Sequence, residues 1–168
     1  MIKKILFIYF IFIQTPNIVT IKELYQGKGV IFNESYKFPF KGTNYKEPVT
    51  PNLNQIIRSE NILYKDYYKY RKSVLDSFRS NYKINSKYLK SKNVQKKFSK
   101  FNRQYAGYTN QIGDTIIYIG LFNFNNLKKA ENYFENWDTI LFLGSGGFYE
   151  GNQEFYEINL NQNKIEFN

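Results

Sequence analysis

The apolar residues of this chain change period once, and that change divides the fold. Leu53, Ile56, Leu63, Tyr67, Tyr70, Val74 and Phe78 fall on one stripe at about 100° per residue, flanked by Ile57, Tyr64, Leu75 and Tyr82. Arg58, Lys65, Lys69, Lys72 and Arg79 fall on the opposite side. This pattern predicts a long amphipathic helix from about Pro51 to Tyr82. Thr50 suits an N-cap, and Pro51 suits the first helical position because it has no N–H to leave unpaired.

From Asn102 the period becomes two. Arg103 to Thr109 and Thr115 to Phe122 flank a Gly-containing loop of hairpin length, Asn110 to Asp114. Thr139 to Leu143, Glu154 to Leu160 and Lys164 to Phe167 continue the strand pattern. One helix followed by consecutive hairpins predicts an α+β fold, with the long helix packed on a four- or five-stranded antiparallel sheet. Between these regions, Tyr88 to Phe101 is dense in Lys and reads as a shorter helix or an ordered arm. Asn123 to Asn136 is a polar connection with a helical turn at Leu127 to Phe134. Sixteen Phe and sixteen Tyr, against one Met, mean that an interior must be built from rings and Ile/Leu. At 168 residues the chain fits one domain.

The N-terminal third carries less pattern. Met1 to Val19 reads as a signal peptide, with Lys3 and Lys4 ahead of the apolar run Ile5 to Ile13 and polar Gln14, Thr15 and Pro16 after it. Nine apolar residues are too few to span a bilayer core, which needs about 20. The competing reading is a short buried strand or helix. Ile21 to Val49 is interrupted by Gly27, Gly29, Pro39, Gly42 and Pro48 and reads as a loop with one edge strand near Val30-Ile31-Phe32. The expected division is therefore a signal peptide over 1–19, an irregular segment over 20–49 and a single α+β domain over 50–168. The expected location is periplasmic or secreted.

Charge is unevenly distributed. Arg58 to Arg103 holds fourteen Lys/Arg against Glu60, Asp66 and Asp76, whereas Tyr105 to Asn168 holds three Lys against eight acids. The chain contains neither His nor Cys, which excludes Ser-His-Asp and Cys-His nucleophiles, disulfides and the usual zinc and iron–sulfur sites. What remains for catalysis is carboxylate or Tyr/Lys chemistry, with paired carboxylates drawn from the acidic C-terminal half, for example Asp138, Glu154 and Glu157. Glu154 and Glu157, three apart in a strand, point to opposite faces and form no dyad by themselves. Gly144-Ser145-Gly146-Gly147 lacks the Lys-Ser/Thr of a phosphate loop and reads as a turn with positive φ. Tyr64, Tyr67, Tyr70, Tyr82 and Tyr88 lie mostly on the apolar stripe, away from the cations, so a stacking track for nucleic acid is not expected. Glu60 is the anomaly: it lies in the apolar stripe, where a carboxylate must find a partner. The expected partner is Arg103 or backbone N–H groups across the helix–sheet interface, as a structural ion pair.

Arg103-Gln104-Tyr105-Ala106-Gly107-Tyr108, with Gly113, Ile117-Tyr118-Ile119, Trp137 and Gly146-Gly147, resembles a group of small exported bacterial proteins of uncharacterised function. Thr50-Pro51 and Glu60 match that group's helix start, so the similarity covers roughly 50–168. Ser145 stands where the group usually has Asp, and Gly120-Leu121 where it often has Asn-Cys. The resemblance implies export and a single α+β domain of cystatin-like form. It implies no activity.

These features lead to an expectation of binding without catalysis and without a cofactor or metal. The expected contact surface is Arg103, Gln104, Tyr105 and Tyr108 with the Gly146-Gly147 turn, joined by the ridge Lys65, Lys69 and Lys72. The expected partner is a protein or an anionic envelope component. Two alternatives stand beside it. One is a carboxylate-dependent hydrolase of cell-wall or glycan substrates, which requires Glu60, Asp138 or Glu157 to converge in a cleft. The other is an envelope component with no discrete site.

Overall fold

The computed structural model describes residues 17–36, 44–79 and 81–167. The fold is α+β, with one long helix, α1 (Leu53–Ser77), against a seven-stranded sheet. The strands are β1 (Asn17–Val19), β2 (Gly29–Ile31), β3 (Tyr45–Val49), β4 (Phe101–Asn110), β5 (Thr115–Asn123), β6 (Gln153–Asn159) and β7 (Lys164–Ile165). Shorter helices are α2 (Ser91–Phe98), α3 (Leu127–Tyr133) and α4 (Gly147–Asn152), with a 3-10 turn at Ser86–Leu89. No helix among the described residues is long and apolar enough to cross a membrane.

The sheet is wider than the sequence pattern suggests, and it is mixed. β4, β5, β6 and β7 form the antiparallel hairpin series. The other edge of β4 is shared: β2 runs parallel along Arg103–Tyr105, and β3 runs antiparallel along Gly107–Asn110. β1 then pairs antiparallel with β2. β2 is the strand expected near Val30-Ile31-Phe32, though it lies inside the sheet between β1 and β4 and not at its edge. β3 is a second strand from the 20–49 segment expected to be irregular, and β1 comes from the last residues of the expected signal peptide. The rest of that peptide, residues 1–16, lies outside the described residues. Strands of three to five residues are too short for period-two patterning to register.

Alternation sorts the two faces of the sheet. Tyr105, Ile117, Ile119, Leu121, Tyr156 and Ile158 pack under α1 and α2 against Ile56, Leu63, Tyr64, Tyr67, Val94 and Phe98. On the reverse face, Ala106, Tyr108, Ile116, Tyr118 and Phe122 pack beneath Trp137, Leu141, Phe142 and Phe134. The middle strands are buried on both sides: β5 is apolar from Ile116 to Phe122, whereas β4 also buries the polar Asn102, Arg103 and Gln104.

α1 starts two residues later than Thr50-Pro51 suggests. Asn52 is the N-cap, and its side chain and that of Gln55 bond reciprocally to each other's backbone N–H. Thr50 instead bonds Glu34 in the preceding loop. The helix stops at Ser77, short of Tyr82, and its apolar stripe is only partly covered. Tyr67 is buried, Val74 is half-buried, and Phe78 is 79% exposed. At about 1.5 Å rise per residue, twenty-five residues carry the last turns beyond the packed layer.

Thr139 to Leu143, expected as a strand, joins no ladder. Its backbone is held instead by one side chain from the sheet: the Gln104 amide donates to the Trp137 and Ile140 carbonyls, and its oxygen accepts from the Phe142 N–H at 2.9 Å. Gln153 and Gly144 form a second such clamp, each donating to the other. The expected positive φ occurs at Gly146 (103°), but that residue caps the short helix α4 rather than closing a hairpin. Gly107 has a different necessity: a Cβ there would lie 2.7 Å from the Val49 carbonyl oxygen, so β3 can approach β4 only over a glycine.

Candidate functional site

The strand expected to meet a partner lies in the middle of the sheet. Arg103, Gln104 and Tyr105 have no exposed surface and Tyr108 is 5% exposed. With β2 and β3 on one edge, β5 on the other and a layer over each face, no partner reaches these side chains in this fold. Their polarity serves internal bonds. The Arg103 Nε donates to the Glu60 Oε1 at 3.1 Å, with both side chains fully buried. Another guanidinium nitrogen donates to the Phe101 carbonyl, and the Tyr25 ring lies 3.8 Å over the guanidinium. Tyr105 donates to the same Glu60 oxygen at 2.8 Å. Burial alone would lower the Arg103 pKa, but the adjacent Glu60 carboxylate outweighs it and holds the group firmly charged.

The other expected contacts are exposed but scattered. Gly146 and Gly147 lie at the N-terminus of α4, a six-residue helix too short to make an anion site. Lys65, Lys69 and Lys72 are exposed on α1, yet Lys72 is paired with Asp76 at 2.6 Å and Asp66 lines the same cleft as Lys69. The ridge is therefore less positive than its lysines alone imply.

The carboxylates required for hydrolysis are separated. Glu60 is sealed beneath α1, while Glu157 lies on the reverse face, opposite Tyr118 in the β5–β6 register. Asp138 belongs to the loop covering that reverse face. Glu154, on the helix side, is engaged by Lys97 and by the Tyr156 hydroxyl. Burial lowers the Lys97 pKa, against the pull of Glu154. Among the described residues no cluster of Asp and Glu could hold a metal ion.

What the structure does assemble is a groove along the outer edge of β6. β7 pairs only with Ile158 and Asn159, and the Glu166 N–H donates to the Glu157 carbonyl. No described residue forms a ladder with Gln153–Tyr156 on that side. Antiparallel alternation turns the Phe155 N–H and carbonyl the same way as those of Glu157, into the groove. One wall is Tyr70 and Arg71 of α1, and the other is Leu143 to Gly146. Three contiguous clefts of about 330, 250 and 390 Å³ meet at Tyr70. The middle one carries Glu157 and Glu166 among four aromatic rings, with Glu166 paired to Lys164 at 3.2 Å. Burial raises the pKa of Tyr70 and, more strongly, that of Tyr156, so both hydroxyls stay protonated.

Sequence reasoning placed Tyr70 only in the core stripe and passed over Arg71, Leu143 and Phe155. The available signal was the short final run Lys164 to Phe167, which cannot cover a seven-residue β6. Compared with known proteins, the chain matches no family model, no curated protein and no solved structure.

Proposed function

We propose that this is an exported, non-catalytic binding protein, and that its binding surface is the β6 groove, which takes an extended segment of a partner protein. The observation that carries this reading is the unpaired edge at Gln153–Tyr156, flanked by clefts on both walls. An extended peptide satisfies such an edge through main-chain bonds and places alternate side chains in the adjoining clefts. The kinship with small exported proteins belongs to the same proposal and rests on the sequence blocks alone.

Affinity capture from envelope extract tests it. Arg71→Glu with Leu143→Glu alters the two walls at a half-buried and an exposed position, leaving the core intact. Capture is expected to fall at least tenfold. A Lys65/Lys69/Lys72→Glu variant is expected to keep it. Recovery of the same partners by the wall variant, folded by circular dichroism, removes the groove from consideration.

A further inference from the structure

From Ser77 to Gly113 the chain contains no acidic residue, and most of its cations there are not used inside the fold. Arg103 is buried against Glu60 and Lys97 is engaged by Glu154. Arg79, Lys83, Lys87, Lys90, Lys92, Lys96 and Lys100 remain on the outside. The connection from α1 to α2 is pinned inward at two points: Ile84 and Tyr88 pack against the main core, the Tyr88 ring 5.6 Å from that of Tyr67. The residues around those pins are turned out. Tyr82 is 83% exposed and Leu89 63% exposed, with Lys83, Lys87 and Lys90 exposed beside them.

We infer that this end of the molecule, residues 78–79 and 81–90, docks on an anionic lipid surface. Cations attract the headgroup phosphates, and each Lys near such a surface favours binding by about fivefold. Exposed Phe78, Tyr82 and Leu89 then enter the boundary between headgroups and acyl chains, where a ring or an aliphatic side chain leaves water. The pairing of features is what selects lipid: a soluble polyphosphate uses the cations but offers nothing to Leu89, and a nucleic acid offers bases to Tyr82 but no apolar layer. The inference is independent of the β6 groove, which draws its residues from 70–71 and 143–166.

The test uses the full chain with vesicles of phosphatidylcholine alone or mixed with phosphatidylglycerol. The apolar run Ile5 to Ile13 is common to every arm, so a local readout is needed: amide exchange across 81–90. That exchange is expected to slow on the anionic vesicles and not on the neutral ones, and the slowing to vanish at high salt. Gln at Lys83, Lys87 and Lys90 is expected to weaken the anionic preference by on the order of a hundredfold. Tyr82→Ser with Leu89→Ser is expected to weaken it by about tenfold. Equal protection on both vesicles, or full binding by the Ser variant, overturns the proposal. So does stronger protection by inorganic polyphosphate or a single-stranded oligonucleotide than by the anionic vesicles.

Discussion

At the scale of single residues, the buried Glu60–Arg103 pair is the most consequential feature. Two opposite charges without solvent exposure persist only because each has close partners, and removing one strands the other. Glu60→Gln is therefore expected to destabilise the fold by roughly 3 to 5 kcal/mol, a large part of the total for a domain of this size. The double variant Glu60→Leu with Arg103→Met is expected to recover most of that loss, because apolar side chains of similar volume ask for no partner. Urea denaturation of the three proteins measures both numbers. A mild single variant, or a double variant as unstable as the single, would show that the ion pair is not what joins helix to sheet. Glu60 was legible from sequence because a carboxylate in an apolar stripe demands an explanation, and Arg103 was a natural partner because it opens the first long strand.

At the scale of elements, periodicity was informative in proportion to length. α1, β4, β5 and β6 each run seven residues or more, and their patterns locate them to within a few positions. β1 and β3, of three and five residues, carry no readable period, whereas β2 and β7 fall within the short runs Val30-Ile31-Phe32 and Lys164 to Phe167. Thr139 to Leu143 looked like a strand because it carries a short apolar run, but only Leu141 and Phe142 pack on the sheet and its backbone bonds go to a side chain. Gln104 thus does the work of a neighbouring strand for that loop. Gln104→Leu is expected to cost about 2 to 3 kcal/mol, since the Trp137 and Ile140 carbonyls and the Phe142 N–H all lose their partner. Accelerated amide exchange confined to 137–143 would accompany it. Unchanged exchange there would assign the anchoring of that loop to Trp137 and Phe142 alone. The groove was not legible because an edge becomes a site only once it is known which strands stop short of covering it.

At the scale of the whole molecule, tyrosine governs the response to pH. Eight tyrosines, namely 25, 64, 67, 70, 105, 108, 118 and 156, have raised pKa values, in every case chiefly through burial. A raised pKa means that the folded state keeps a proton the unfolded chain releases near pH about 10. This contribution to stability is complete below that pH and is lost as the pH rises further. The expected outcome is a cooperative alkaline transition above pH about 10, in which the tyrosinate absorbance of these eight rings and the loss of near-ultraviolet circular dichroism coincide, apart from the absorbance of exposed rings such as Tyr82. Ionisation of all the tyrosines in a protein that keeps its near-ultraviolet circular dichroism would contradict the burial of these eight. No His or Cys is available to add a transition nearer neutrality.

The parallel pairing of β2 with β4 joins Gly29 to Arg103, so the beginning of the sheet waits for its middle. A chain emerging from its N-terminal end holds β1 and β2 in solution, with only each other as partners, until more than seventy further residues have appeared. Folding of the two halves is thereby coupled in time, since closing so long a loop is slow and cannot be rewarded earlier. A nascent chain of this kind remains threadable through a narrow passage until β4 has followed.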